Sequence, residues 1–168
     1  MGNVLRAGQI SALSPELLEI FGSPDDPMET VDARARAMYP DAPPIIWECN
    51  LSFQFSYVSE SAVNMLGYPR QRWLESLFWA EQVVHADDQE DAVTYCALAT
   101  AKARNHMFEY RARSADGRTI WLRDYVKVIL GPSGAPVKVR GAMFDVSAEK
   151  VGTDSPPAQV PSRADLVA

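Results

Sequence analysis

The chain has 168 residues, a formal net charge of −6 and 47% apolar residues. This length and composition are sufficient for one domain with a sizeable core. The acidic balance argues against nucleic acid or an anionic membrane surface as a partner, because both require clustered Lys and Arg. The sequence has no apolar run long enough to insert into a membrane and no signal peptide at its start, which predicts a cytoplasmic protein.

Residues 1–43 are predicted to form an N-terminal helical extension. Ser14 and Pro15 are typical of a helix start, because serine caps the first backbone N–H groups and proline fits the first turn. This first helix is expected to end at Gly22. A second short helix is predicted over residues 29–39, before a group of prolines interrupts the pattern.

Residues 106–146 show the pattern of three strands joined by two short turns. The first strand, from His106 to Arg113, alternates apolar and polar residues with the period of two that marks a half-buried strand. Asp116-Gly117 is a dipeptide that favours a tight hairpin turn. The second strand is predicted over residues 119–130, and a Gly-Pro-Ser-Gly turn leads into the third. Such a meander requires other elements packed on its inner face.

The order and spacing of short motifs over residues 44–150 resemble the PAS domain family. The resemblance is to the subgroup with a Y-V-S, L-G-Y, V-H-P-D-D, D-G, W, G and D-I-T series, here with Ala86 in place of proline and Val146-Ser147 in place of Ile-Thr. It implies an α+β fold with a five-stranded antiparallel sheet and flanking helices. The matching motifs are Tyr57-Val58-Ser59, Leu66-Gly67-Tyr68, Val84-His85-Ala86-Asp87-Asp88, Asp116-Gly117, Trp121, Gly141 and Asp145-Val146-Ser147.

Residues 151–168 are polar and contain several prolines, which predicts a disordered tail. No effector domain follows residue 150, and the tail is typical of a natural chain end. The sequence therefore favours a free-standing PAS module that acts on another protein. The alternative, a sensing domain cut from a longer kinase or cyclase, stays open.

Strand alternation places one set of side chains on the inner face of the sheet, where a ligand pocket is predicted. Asp124 is an acid among apolar neighbours, and burial should raise the pKa of its carboxyl group unless that group is paired. The simpler interpretation is a structural Asp124 bonded to Tyr110 or to a water; the alternative is a group that orients a ligand. The predicted pocket consists of Trp47, Cys49, Phe108, Tyr110, Leu122, Asp124, Val126, Gly141 and Met143.

The sequence lacks the residues with which related domains hold flavin or haem. Flavin-binding PAS domains use a cysteine motif and amide side chains on the last three strands, but the corresponding positions here are Leu77-Phe78-Trp79 and, for the amides, Ala112, Leu122 and Met143. The long helix, predicted from Asp87 to about Arg104, has no histidine for haem. No cofactor is therefore expected, although an unknown small-molecule ligand stays open.

The other titratable residues have simple structural interpretations. His85 is interpreted as a capping residue, His106 has no partner evident in the sequence, and Cys49 and Cys96 are expected to be reduced and structural. The acids around Asp87 are explained by the helix dipole, so no metal site is predicted. No catalytic constellation is present, and the chain is predicted not to be an enzyme.

The outer face of the sheet carries large aromatic side chains that would form an unusual apolar patch if they were exposed. The first helix or a second copy of the chain could cover them, and PAS domains commonly dimerise through this face. The favoured hypothesis is a bacterial signalling module that binds a partner such as a two-component histidine kinase and forms a homodimer. The alternative is a small-molecule sensor. The predicted interaction face consists of Leu17, Leu18, Phe21, Trp121, Arg123, Tyr125 and Phe144.

Overall fold

The computed structural model describes residues 13–150. Five strands form one antiparallel sheet in the order β2-β1-β5-β4-β3, which confirms the predicted sheet. The predicted disordered tail at 151–168 lies outside the described residues. The strands are β1 (Ile45–Cys49), β2 (Phe55–Val58), β3 (His106–Arg113), β4 (Thr119–Leu130) and β5 (Pro136–Asp145).

Five α-helices and three short helical turns flank the sheet in the described part of the chain. None of these helices is both long and apolar enough to cross a membrane. The helices are α1 (Pro15–Phe21), α2 (Met28–Met38), α3 (Ser61–Leu66), α4 (Arg70–Trp73) and α5 (Gln89–Ala101). The turns are a π-helical turn (Trp79–Val83) and two 3₁₀ turns (Ala86–Asp88 and Ser147–Lys150).

The N-terminal extension begins as its sequence predicts. The hydroxyl of Ser14 accepts a hydrogen bond from the backbone N–H of Leu17 at 3.2 Å, and Pro15 is the first helical residue. Gly22 ends α1 with a φ of +60°, a conformation that glycine adopts without steric cost. The second helix starts one residue earlier than predicted and ends one residue earlier, at Met38.

The long helix is shorter than predicted at both ends. A 3₁₀ turn occupies Ala86–Asp88, and α5 proper runs from Gln89 to Ala101. At the start, the fully buried side chain of Asp88 accepts hydrogen bonds from the backbone and guanidinium of Arg111 instead of capping the helix. At the end, Ala103 has a φ of +56°, which is incompatible with helix continuation.

The sheet separates two hydrophobic clusters. The main core lies on the inner face, where Trp73, Tyr95 and Leu122 are almost completely buried. A second cluster lies on the outer face, where α1 and α2 pack on Ile46 of β1 and Ala142 of β5. Burial of each large side chain contributes about 1.5–3 kcal/mol, so the extension is an integral part of the described structure.

Candidate functional site

A buried polar network lies on the inner face of the sheet. The carboxylate of Asp124 accepts a hydrogen bond from the indole N–H of Trp47 at 3.0 Å and another from the hydroxyl of Tyr110 at 2.9 Å. The Tyr110 oxygen in turn accepts from the indole N–H of Trp79 at 3.0 Å. We call these four residues the Asp124 network. The sequence interpretation of Asp124 as a structural residue bonded to Tyr110 agrees with this geometry.

The Asp124 network is uncharged at neutral pH. Burial raises the pKa of the Asp124 carboxyl to about 8, and the hydrogen bonds from Tyr110 and Trp47 only partly oppose this effect. Burial likewise raises the pKa of the Tyr110 hydroxyl well above its ordinary value. A neutral carboxylic acid costs far less free energy to bury than a carboxylate does. The network can therefore sit in the apolar core without a cation.

Gly141 is what allows Trp47 to reach Asp124. These two residues face each other across the β1–β5 pair, and the indole lies directly over the glycine. A Cβ atom built on Gly141 would come within 2.1 Å of the Trp47 ring, closer than any real contact. The absence of a side chain at this position therefore sets the orientation of the indole N–H.

A small cavity of about 10 Å³ lies beside the network. This volume corresponds to about one water-sized probe. Of the predicted pocket residues, Trp47, Cys49 and Asp124 line the cavity, and the others form the buried layer around it. The remaining lining residues, Phe53, Phe55, Trp79 and Cys96, lie in a loop, at the start of a short strand, in a π-helical turn and on α5, where alternation along the meander does not reveal them.

The buried histidine and cysteines are held in neutral forms. The Nδ1 atom of His106 donates to the carbonyl of Arg104 at 2.8 Å, which leaves Nε2 to accept from the Cys96 thiol at 3.4 Å. Burial lowers the pKa of His106 to about 4 and raises the pKa of the Cys96 and Cys49 thiols. Protonated thiols are poor nucleophiles and poor metal ligands. Both cysteines are free.

His85 is a capping residue, as its position predicts. Its Nδ1 atom accepts a hydrogen bond from the backbone N–H of Asp87 at 3.1 Å, at the start of the 3₁₀ turn. Within residues 13–150, no group of three or more histidine, cysteine or acidic side chains is arranged to hold a metal ion.

The outer face is only partly covered by the N-terminal extension. Leu17 and Phe21 of α1 are buried there, and Tyr125 and Phe144 of the sheet are half-buried against the same cluster. Leu18 does not join them. Its side chain is 43% exposed because it lies on the opposite side of the short helix.

Trp121 also lies apart from the extension. It is half-buried beneath two cations, with the Lys150 ammonium 5.0 Å and the Arg111 guanidinium 6.0 Å from the ring. Cations over an indole face stabilise such an arrangement modestly while leaving its edge accessible. Trp121 and Leu18 are therefore the least covered members of the predicted interaction face with large apolar side chains.

Charged side chains fasten the C-terminal 3₁₀ turn to the outer face. Arg123 contacts Glu109 at 2.5 Å and Glu149 at 2.7 Å, and Lys150 contacts Glu109 at 2.9 Å. We call these four residues the outer clasp. A groove of about 420 Å³ runs between the clasp and α1, and we call it the outer groove. Its lining includes Leu17, Tyr39, Arg123, Tyr125, Phe144 and Glu149.

Arg140 anchors the turn between α1 and α2 to the sheet. Its guanidinium is 2% exposed as part of a buried residue on β5 and forms an ion pair with Glu48 at 3.0 Å. It also donates hydrogen bonds of 2.9–3.3 Å to four backbone carbonyls of the extension. Nothing in the local sequence pattern distinguishes Arg140 from the other basic residues, because its acceptors lie more than 100 positions away. The acceptors are the carbonyls of Phe21, Ser23, Pro24 and Asp26.

Solved structures similar to this chain come from signalling proteins. The N-terminal domain of a diguanylate cyclase with PAS/PAC sensor from Marinobacter aquaeolei is 34% identical, with 63% of this chain and 97% of that chain covered and a TM-score of 0.59. A sensory box histidine kinase/response regulator from Burkholderia thailandensis is 20% identical, with 70% and 87% covered and a TM-score of 0.55.

A light-oxygen-voltage domain studied with a flavin analogue has the same fold. It is 16% identical to this chain, with 76% of this chain and 90% of that chain covered and a TM-score of 0.57. No curated protein sequence matches the chain. The sequence profile described as PAS fold matches residues 55–143, more than half of the chain. Together with the sheet order and the 34% identical relative, this match shows that the chain belongs to the PAS fold family.

Proposed function

We propose that this chain is a cytoplasmic, non-catalytic PAS module that regulates a partner signalling protein, such as a histidine kinase, by binding it through the outer face. One observation carries the proposal. The outer groove measures about 420 Å³ and lies open to solvent, whereas the cavity on the inner face measures only about 10 Å³. The outer face thus offers far more room for a macromolecular contact than the inner face offers for a ligand.

The chemistry of the outer face supports a protein partner. Tyr125 and Phe144 lie in the groove with their rings 5.7 Å apart, and Trp121 lies beside it, half-exposed. Aromatic residues and arginine dominate the binding energy of protein interfaces, and Arg123 supplies the latter here. The similar structures from a cyclase and a histidine kinase support a signalling role of this kind.

Strand β4 provides a physical connection between the two faces. Asp124 faces the Asp124 network, while its neighbours Arg123 and Tyr125 face the outer clasp and the groove. A backbone shift at Asp124 would therefore move both neighbours. This is the route by which a change in the core could reach a bound partner.

Site-specific photo-crosslinking tests the proposal. A photoreactive phenylalanine analogue would replace Trp121, and separately Leu18, in the native host, and the crosslinked proteins would be identified by mass spectrometry. We expect a signalling protein whose activity, reconstituted with purified components, changes when this chain is added. A crosslink to a second copy alone, with no effect on any signalling protein, would contradict the partner proposal and favour the homodimer.

A second candidate function is small-molecule sensing through the Asp124 network. The observation in its favour is a titratable carboxyl group beside the only polar cluster that borders the inner cavity. Native and denaturing mass spectrometry of purified protein would reveal a retained ligand as a mass difference between the two measurements. We also expect purified protein to be colourless, since the amide positions for flavin are Ala112, Leu122 and Met143; a stoichiometric visible band would contradict this expectation.

A further inference from the structure

A second, larger pocket opens at the side of the core. It has a volume of about 210 Å³ and lies between the β1–β2 loop, α5 and the start of β5. We call it the side pocket. It does not belong to the outer face, and it shares only Phe53 with the small inner cavity. The side chains used below to argue its chemistry are Leu51, Phe53, Ala97, Thr100, Pro136 and Val139.

The lining of the side pocket selects an uncharged and mainly apolar occupant. None of its lining residues carries a charge, and Asn50 and Thr100 are the two polar ones. The side-chain oxygen of Asn50 already accepts two backbone N–H groups of its own loop. A charged group placed here would lose its hydration without gaining an ionic partner.

Thr100 supplies an unused hydrogen-bonding group. Its residue is 7% exposed, and its hydroxyl oxygen has no nitrogen or oxygen partner among the described residues. Its nearest influence is the thiol of Cys96, one turn earlier on α5, whose pKa the hydroxyl lowers. A thiol is a weak hydrogen-bonding group, so the Thr100 hydroxyl retains capacity for a stronger partner. Buried polar groups without such a partner are rare in folded proteins.

The volume limits the size of the occupant to about one ring. An apolar cavity of about 150 Å³ in another protein takes up benzene. The side pocket is therefore large enough for a single ring with a small substituent, and too small for flavin or haem.

Phe53 separates the side pocket from the Asp124 network. It has a φ of +61°, which is unfavourable for a bulky residue, and its ring lies 5.4 Å from the ring of Trp79. Trp79 in turn donates to Tyr110, which donates to Asp124. An occupant of the side pocket would contact Phe53 and could act on the network through it.

We propose that the side pocket binds an uncharged molecule of about one ring that carries one hydroxyl-type group, with the ring against Phe53 and Val139 and the hydroxyl paired with Thr100. This site goes beyond the proposed partner binding on the outer face and does not depend on it, because it can be measured on the isolated protein.

Phenol and toluene are matched probes for this site, since they differ only in a hydroxyl group. Two-dimensional NMR of the full chain titrated with each probe would give the affinity and the residues perturbed. We expect phenol to bind saturably, to shift the signals of Phe53 and Thr100, and to bind about fivefold more tightly than toluene, the effect of one net hydrogen bond. Benzoate, which has the same ring but a charge, should not bind.

Two substitutions on α5 sharpen the test. Ala97 is solvent-exposed, so Ala97→Phe should fill the side pocket without disturbing the core and abolish phenol binding. Thr100→Val removes the hydroxyl at constant shape and should bring the affinity for phenol down to that for toluene. Thr94→Val is the matched control, because Thr94 is half-buried on the same helix but does not line the pocket.

Three results would overturn the proposal. They are phenol shifts confined to another surface, unchanged binding in Ala97→Phe, or equal affinities of unmodified protein for phenol and toluene. The last comparison needs no variant, so it decides the matter even if Thr100→Val fails to fold.

Discussion

Asp124 on the inner face and Glu109 on the outer face are both buried acids of the same β3–β4 pair, with exposures of 1% and 5%. Asp124 accepts hydrogen bonds from two neutral donors, and its pKa rises to about 8. Glu109 instead contacts the cations Arg123 and Lys150. The inner face thus holds an acid that titrates near neutral pH, whereas the outer face holds one fixed by ion pairs. A proton can change the inner face while the outer clasp keeps its charge.

The outer face depends most strongly on Arg140, and its loss should have the largest effect on stability. Arg140→Met would leave Glu48 and four carbonyl groups without their buried partner. We expect the free energy of unfolding to fall by about 3–5 kcal/mol, the usual cost of breaking a buried ion pair. Urea unfolding followed by circular dichroism would measure it.

Lys138→Met is the matched control for Arg140. Lys138 lies on the same strand and contacts the same Glu48 at 3.3 Å, but it is partly exposed. We expect a loss below about 1 kcal/mol, as for other surface ion pairs. Equal losses for the two variants would show that Arg140 does not anchor the extension.

The inner face depends on close packing between Gly141 and Trp47. Gly141→Ala would push the indole away from the sheet and weaken its hydrogen bond to Asp124. We expect a loss of about 1–3 kcal/mol, the typical cost of overpacking a core. In a Trp47→Phe background the same substitution should cost less, because the smaller ring gives room. Additive losses in this double-mutant cycle would contradict the proposed contact.

The pH dependence of stability should separate the inner acid from the buried histidine. The folded pKa of Asp124 lies near 8, above its unfolded value, so its contribution to stability is lost as pH rises towards 8. The folded pKa of His106 lies near 4, below its unfolded value of about 6.5, so its contribution is lost as pH falls from 6.5 towards 4. Between about pH 4 and 6.5 the two effects oppose each other.

Only the Asp124 effect remains above about pH 6.5. There we expect the free energy of unfolding to fall by up to about 1.4 kcal/mol per pH unit, and Asp124→Asn to remove this slope. His106→Gln should change the profile only below about pH 6.5. If Asp124→Asn and the unmodified protein have the same slope between about pH 6.5 and 7.5, Asp124 does not titrate as described.

The sequence predicts the sheet and the inner face well because both follow from local patterns. Alternation along β3, β4 and β5 identifies residues such as Tyr110 and Leu122 as buried, and the turn at Asp116-Gly117 fixes the hairpin. Caps likewise define α1 from Ser14 to Gly22. These features depend on residues close together in the chain.

The features that the sequence does not predict depend on distant contacts. Arg140 finds its acceptors in the turn after α1, and Phe53 enters the core from a loop with an unfavourable φ. The exposure of Leu18 follows from how a helix of only seven residues rotates on the sheet, since its apolar residues occupy a broad face. Patterns of local hydrophobicity carry no information about such partners.

The smallest expected effect on stability belongs to the substitution that tests the central claim most directly. Trp121→Glu changes a half-exposed side chain and should alter the free energy of unfolding by no more than about 0.5 kcal/mol. Val137→Glu is its matched control, because Val137 is 49% exposed and strand alternation places it on the other face of the sheet. Both variants should remain folded.

The decisive measurement is the affinity of these two variants for the signalling protein that crosslinks at position 121, determined by isothermal titration calorimetry. We expect Trp121→Glu to weaken binding at least about tenfold, as for an aromatic residue central to an interface, and Val137→Glu to leave binding unchanged. Equal affinities for Trp121→Glu and the unmodified protein would contradict the assignment of the outer face as the binding surface.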